Sequence, residues 1–341
     1  MGNEPSVIKN NQYGFNEKTT AGEVVQYFNK TGNNLAGKTI FITGCTNGIG
    51  RETAKALAKI AGAPTLVFAN RNLEASKTLQ EEIERENDRA TPKIHHLKLD
   101  LSSFEAVNQC VDSFKQLQLP LNYLVLNAGI FSGSFSLTQD GFESHLGINH
   151  LGHFLLTHKL LQELAESGTV ESPSRVVVVA SHSHLMVSDL NIERLQLTEK
   201  DFQGLLPSQV GYAQSKLCNV LFSKELDRIA KENNLHICSY SLHPATMVAS
   251  NIGNDSLLAR AAIHVASLFT RSLPQAAATS LFCTLAPELI QDEWRGRYFD
   301  KCNCVANAKL ADNESLARQL WEESERLCKL ESLYTRLKES S

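Results

Sequence analysis

The sequence predicts an α/β fold, a doubly wound parallel sheet with helices on both faces, in a single domain. Three observations point there. From Lys38 onward, short apolar strands alternate with amphipathic helices. Those strands run nearly unbroken in Val, Ile, Leu and Phe, as strands covered on both faces must. Neither an internal repeat nor a low-complexity linker interrupts the pattern.

In chain order, the polar, Asn-rich residues 1–18 are expected to be loosely ordered. Thr20-Ala21-Gly22-Glu23 is a capping box opening a short amphipathic helix through Phe28, and NKTGNN (29–34) is a linker. KTIFITG (38–44) reads as a buried strand and RETAKALAKIAG (51–62) as a helix ended by glycine. TLVFAN (65–70) is a second strand, followed by a charged helix over 73–88. KIHHLKLD (93–100) makes a third strand, with a helix over 103–117 after it. LNYLVLNAG (121–129) makes a fourth, and one long helix is expected over about 142–166. RVVVVAS (175–181) is the fifth, then comes the helix carrying GYAQSKLCNVLFSKELDRIAKE, then HICSYSLHP (236–244) as the sixth. Helices near 274–287 and 313–336 close the chain. The organisation expected is a polar tail with a short helix over 1–35, the main domain over 36–330, and a tail over 331–341.

Bulk properties exclude several function classes. In 341 residues, 42% hydrophobic and 21% charged content allow a sizeable core. A net charge of −4 without a dense Lys/Arg block lacks the footprint of a nucleic-acid binder. Eight scattered cysteines fit a reducing compartment, so a cytoplasmic location is expected. Cys302 and Cys304 have no second pair nearby, and His150, His153, His182, His184 and His243 lack ligand spacing with carboxylates, so no metal is expected. The best apolar stretch, LLARAAIHVASLF (257–269), is interrupted by Arg260 and His264 and is too short to span a bilayer. The N-terminus lacks the apolar region of a signal peptide. Gly2 and Ser6 fit M-G-x-x-x-[ST], which permits N-myristoylation and, through it, weak peripheral membrane association.

The first strand runs straight into TGCTNGIG and a helix, with Gly44, Gly48 and Gly50. Glycines there let the backbone turn tightly and approach a pyrophosphate at the helix N-terminus, which makes the fold Rossmann-type and the ligand a dinucleotide. The second strand ends Phe68-Ala69-Asn70-Arg71, without the carboxylate that binds a ribose 2′-hydroxyl. Arg71 suits a 2′-phosphate instead, so NADP(H) is expected ahead of NAD(H). Asp100, ending the third strand, either contacts the adenine end or caps the next helix.

GYAQSKLCNV places Tyr212 and Lys216 four residues apart, on one helix face. A nearby ammonium stabilises a phenolate and so tunes the hydroxyl for acid/base work. Chance alone supplies about 0.4 such pairs in a chain of this composition, so the spacing counts only alongside the glycine turn.

In order, TGCTNGIG, LNAG (126–129), GINHLGHF (147–154), VVVVAS (176–181) and YAQSK (212–216) resemble the short-chain dehydrogenase/reductase superfamily over roughly residues 36–300. NHLGHFLLT and GYAQSKLCNVLFSKEL resemble its retinol-dehydrogenase-like branch. The resemblance implies that Tyr212 gives or takes the proton at the carbonyl/alcohol oxygen and that Lys216 lowers its pKa and holds the nicotinamide ribose. It implies that Ser181, with Ser183 as a rival, holds the substrate oxygen, and that Asn149 supports a water linked to the lysine. Gly44, Thr46, Asn47, Gly48, Ile49, Gly50, Arg71, Asp100, Asn127 and Gly129 join Tyr212 and Lys216 as the expected cofactor contacts. Asn127 is expected to fix the sheet beside the cofactor. The expected activity is NADP(H)-dependent interconversion of an alcohol and its carbonyl, on an apolar substrate such as a retinoid, steroid or lipid aldehyde, with a homodimer left open. The Ser181–Tyr212 connection and the 250–270 region are expected to shape the pocket. HPATMVAS departs from the family: Ala245 replaces a glycine and Ala249 a threonine, with Thr246 or Ser250 placed to compensate. Leu126 replaces the first asparagine of the usual NNAG. That departure motivates a second reading, a cofactor-binding interaction protein with little turnover. A sugar-nucleotide epimerase or dehydratase is disfavoured by the G-x3-G-x-G spacing and the compact C-terminal region.

Overall fold

A computed structural model describes residues 7–87, 91–202, 207–244 and 272–339. Gly2, Ser6, Ala245, Thr246, Ala249, Ser250 and the 250–270 region lie outside the described residues. The strands are β1 (Val7–Lys9), β2 (Thr39–Thr43), β3 (Thr65–Asn70), β4 (Ile94–Lys98), β5 (Tyr123–Leu126), β6 (Ser174–Val179), β7 (Ile237–His243), β8 (Tyr298–Asp300) and β9 (Asn303–Val305). They form one sheet in the order β1-β9-β8-β7-β6-β5-β2-β3-β4, parallel from β4 to β8. The helices are α1 (Ala21–Lys30), α2 (Gly48–Leu57), α3 (Leu73–Glu86), α4 (Phe104–Gln116), α5 (Gly152–Lys159), α6 (Leu161–Ser167), α7 (Pro207–Glu232), α8 (Leu273–Leu285), α9 (Glu314–Leu327) and α10 (Leu333–Glu339).

Both faces of the sheet are buried, which is why its strands need no polar alternation. On β2, Phe41 joins the core with Val107, Phe114 and Leu221, whereas Ile40 and Ile42 join the opposite core with Leu57, Phe68 and Leu281. Each such side chain contributes about 1.5–3 kcal/mol by leaving water. The chain crosses from β3 and β4 on one side of β2 to β5 on the other. That reversal opens a crevice at the carboxyl ends of β2 and β5, the place where sheets of this kind receive ligands.

Three features differ from the sequence expectation. Residues 7–9 pair with β9 instead of forming loose tail, and Tyr13 and Phe15 pack edge-on against Tyr27, Phe28 and Phe282. The β8–β9 hairpin turns at Lys301 and Cys302, both at positive φ (53° and 59°), so it carries none of the Asn or Gly that signals such a turn. The helix expected over 142–166 starts as a π segment, Leu146–Leu151, before α5, and breaks at Leu160 before α6. The capping box at Thr20 forms as expected, with Thr20 N donating to Glu23 Oε2 at 2.7 Å.

Candidate active site

The glycine turn follows β2 and is pinned from β5. Gly44 sits at φ +66°, and a Cβ there would lie 2.8 Å from Ala128. The Asn127 side chain donates to the carbonyls of Thr43 (3.1 Å) and Gly44 (2.8 Å). Thr43 Oγ1 returns the link by accepting from the Asn127 and Ala128 amides, each at 3.0 Å. α2 then starts at Gly48, and its N-cap, Asn47, makes no side-chain capping bond. No acidic residue stands in its first turn. Its leading N–H groups are thus left for an external anion, as the pyrophosphate of a dinucleotide requires. Thr46, Asn47, Gly48, Ile49 and Gly50 line the adjoining cleft, which holds about 590 Å³.

At the end of β3 the Asn70 side chain turns inward. Its Oδ1 accepts from Cys45 N at 2.8 Å, and its Nδ2 donates to Ser76 Oγ at 3.1 Å. Arg71 stays exposed on the cleft rim. Asp100 lines the same cleft and accepts from Ser102 N and Oγ, while the N-cap of α4 is Ser103. Asp100 is therefore not the helix cap.

Tyr212 and Lys216 lie on α7, in the wall of that cleft together with Asn127 and Gly129. Lys216 Nζ sits 5.5 Å from the centre of the Tyr212 ring and donates to Val179 O at 2.9 Å. Burial lowers the ammonium to about 8. The Tyr212 hydroxyl is raised by burial, against a smaller lowering influence of the Ser181 side chain. This corrects the expectation that the lysine makes the phenol more acidic: the desolvation of the phenolate outweighs its neighbours. Ser181 follows β6 as the N-cap of a 3₁₀ turn, His182–Met186, and accepts from Ser183 N. Its carbonyl accepts from His184 Nδ1 at 2.6 Å.

Asn149 lies in the π segment, fully buried. Its Oδ1 accepts from Ile130 N (2.8 Å), and its Nδ2 donates to Ile130 O and Ser215 Oγ, each at 3.0 Å. It thereby ties the loop after β5 to α7. Gly129 packs between the two groups: a Cβ there would lie 3.1 Å from Asn149 Oδ1 and 3.5 Å from Lys216 Nζ.

The histidines are mostly packing groups. His150 bonds Ser324, His153 bonds Thr43, and burial lowers both to about 3. His182, His243 and Asp300 do converge, which sequence spacing did not indicate. The two rings stack 3.8 Å apart at 20°. In the Ser181–Tyr212 connection, Leu190 and Leu195 are buried in the core, so part of its apolar composition is packing. Sequence reasoning missed Thr43, Ser215, Phe131, Glu143 and His145, whose roles arise from contacts distant in sequence.

The family model for short chain dehydrogenases matches residues 38–191. The WW domain-containing oxidoreductase of Gallus gallus is 38% identical over 320 residues, covering 92% of this chain and 72% of that protein. Retinol dehydrogenase 11 of Homo sapiens is 36% identical over 290 residues, covering 85% of each. A crystal structure of an uncharacterized protein from Mycobacterium Paratuberculosis superposes with a TM-score of 0.65 at 27% identity, covering 87% of this chain and 96% of that one.

Proposed function

The chain belongs to the short-chain dehydrogenase family, in its retinol-dehydrogenase-like branch, and is an alcohol/carbonyl oxidoreductase using NAD(P); from that premise we propose an NADP(H)-dependent enzyme in which Tyr212 is the general acid/base. The observation that carries this reading is the convergence of Tyr212, Lys216 and the glycine turn on one cleft. When bound, the nicotinamide supplies or accepts the hydride. Tyr212 donates a proton to the carbonyl oxygen in reduction and takes it from the alcohol in oxidation, while Ser181 holds that oxygen. Lys216 holds the ribose and, once the cleft is filled, stabilises the phenolate. Asn149 fixes the loop beside the lysine and supports a water linked to it.

Arg71 supports the choice of NADP(H). It is an exposed cation on the rim, and the neighbouring Asn70 offers no carboxylate and spends its amide inward. The substrate proposed is an apolar aldehyde or ketone such as a retinoid, steroid or lipid aldehyde, supported by the aromatic wall beside Tyr212. A panel of carbonyls with NADPH or NADH tests the reading. Substrate-dependent loss of reduced-cofactor absorbance is expected, and Tyr212→Phe should keep cofactor binding while losing nearly all turnover. Wild-type turnover in that variant removes Tyr212 from the mechanism. Cofactor binding without turnover of any carbonyl favours a binding protein instead.

A further inference from the structure

Next to Tyr212 lies a buried charged unit that the proton chemistry does not use. Glu143 and His145 are both without solvent exposure. The Glu143 carboxylate accepts from the amides of His145 (2.9 Å) and Leu146 (3.0 Å) and from His145 Nδ1 (2.8 Å). Burial would raise this carboxyl, but the bonds from the His145 side chain and the two amides hold it below its ordinary value. With Nδ1–H donated to the carboxylate, Nε2 remains an acceptor, and it takes the amide N–H of Ser132 at 2.9 Å.

The start of the loop after β5 is therefore held by the side chains of His145 and Asn149, on one stretch of backbone. Ile130 is held by Asn149 and Ser132 by His145. Between them stands Phe131, half-buried, facing the cleft. Its ring meets Tyr212 edge-on, with centroids 5.1 Å apart at 84°. The His145 ring lies 6.1 Å from Tyr212 and stacks at 11° on Phe202. Gly211, the residue before Tyr212, is fitted to this unit. A Cβ there would lie 2.8 Å from Phe202 Cζ and 3.1 Å from His145 Nδ1, so a side chain at residue 211 would crowd both rings. Ser132, Gly133 and Ser134 bring no apolar side chain, and the next residue, Phe135, meets the same Phe202 ring on which His145 stacks, with centroids 5.4 Å apart at 67°.

We propose that Phe131 is a specificity-determining residue, the wall that receives the apolar skeleton of the substrate beside its carbonyl, and that the Glu143–His145 pair is the positioning unit that holds this wall against Tyr212. The inference deepens the proposed function and rests on its placing of the carbonyl at Tyr212. A wall held in place before binding saves the ordering cost of a Ser/Gly loop and rewards long or bulky apolar substrates over small ones.

The test uses the full chain with NADPH and two aldehydes of similar reactivity, nonanal and propanal. Phe131→Ala should raise KM for nonanal about tenfold and leave KM for propanal within about twofold. His145→Leu, which removes both side-chain hydrogen bonds at similar volume, should move the ratio the same way, and His145→Gln should restore part of it. The double variant should discriminate no worse than Phe131→Ala alone, because the pair acts through that ring. A binding arm repeats Phe131→Ala in the Tyr212→Phe background, reading the Kd of each aldehyde from the fluorescence of bound NADPH. This arm needs no turnover. Failure of the Tyr212 assignment shows separately, as activity retained in Tyr212→Phe. An unchanged nonanal/propanal ratio in Phe131→Ala overturns the proposal, as do additive losses in the double variant or a parent chain that prefers neither aldehyde. If His145→Leu does not fold, Phe131→Ala decides alone.

Discussion

Gly50 and Asn127 occupy one another's space: a Cβ on Gly50 would fall 2.3 Å from Asn127 Nδ2 and 2.3 Å from Gly44 O. The first turn of α2 thus rests directly on the side chain that pins the glycine turn. Gly50→Ala must push one of the two aside. It should lower stability by about 1–3 kcal/mol and raise the Kd for NADPH at least about tenfold. Thermal melts and a cofactor fluorescence titration check both. An alanine variant that binds NADPH as the parent does would show that the helix moves freely at this contact.

Arg71 is expected to set cofactor choice. Arg71→Ala should weaken NADPH binding about tenfold or more while changing NADH binding little, since only the former carries a charge-assisted partner for the guanidinium. Kd values for the two cofactors, measured side by side, decide it. Equal weakening of both would mean that Arg71 serves some part of the dinucleotide common to them.

Lys216 should leave a signature in the pH dependence of stability. Its ammonium is held at about 8, against the 10.5 of a lysine in water, because the cleft wall desolvates it, a cost of about 3 kcal/mol at neutral pH. Between those two values the unfolded chain binds more protons than the folded one, so stability rises with pH across the window. Relative to Lys216→Met, which does not titrate there, the parent chain should gain up to about 3 kcal/mol between pH 7 and pH 10.5. Urea midpoints of both proteins at several pH values measure this. A difference that stays constant with pH would place the lysine in water.

Thr43→Val keeps the shape of the residue and removes one oxygen. That oxygen accepts from the Asn127 and Ala128 amides and bonds His153 Nε2 at 2.9 Å. Asn127 N keeps Val125 O at 3.1 Å, so the Ala128 amide is the one left unpaired, and the change should cost about 1–3 kcal/mol. Chemical denaturation should register the loss, and the loop after β5 should exchange its amide hydrogens faster.

Much of the cleft was legible in the sequence because its signals are local. The glycine turn needs a strand before it and a helix after it, Arg71 and Asp100 end strands, and Tyr212 and Lys216 are one helical turn apart. Each can be read within a window of a few residues. Thr43, Ser215 and the Glu143–His145 pair are visible only once distant segments meet: Asn149 and Ser215 are 66 positions apart. The π segment escaped detection because its residues follow the same apolar pattern as an ordinary helix. The direction of the Tyr212 shift was misjudged for another reason. Spacing reports which charges are near, whereas the degree of desolvation is a property of the assembled wall.

The edge strand β1 has a consequence for how the molecule is assembled. Val7 lies opposite Val305, and Asn11 N donates to Asn303 Oδ1 across 292 positions of chain. Closing so large a loop is slow and yields few contacts, so this seam forms after the sheet interior and parts before it. A protease added to the native protein should nick the segment around Lys9 while the parallel strands remain whole.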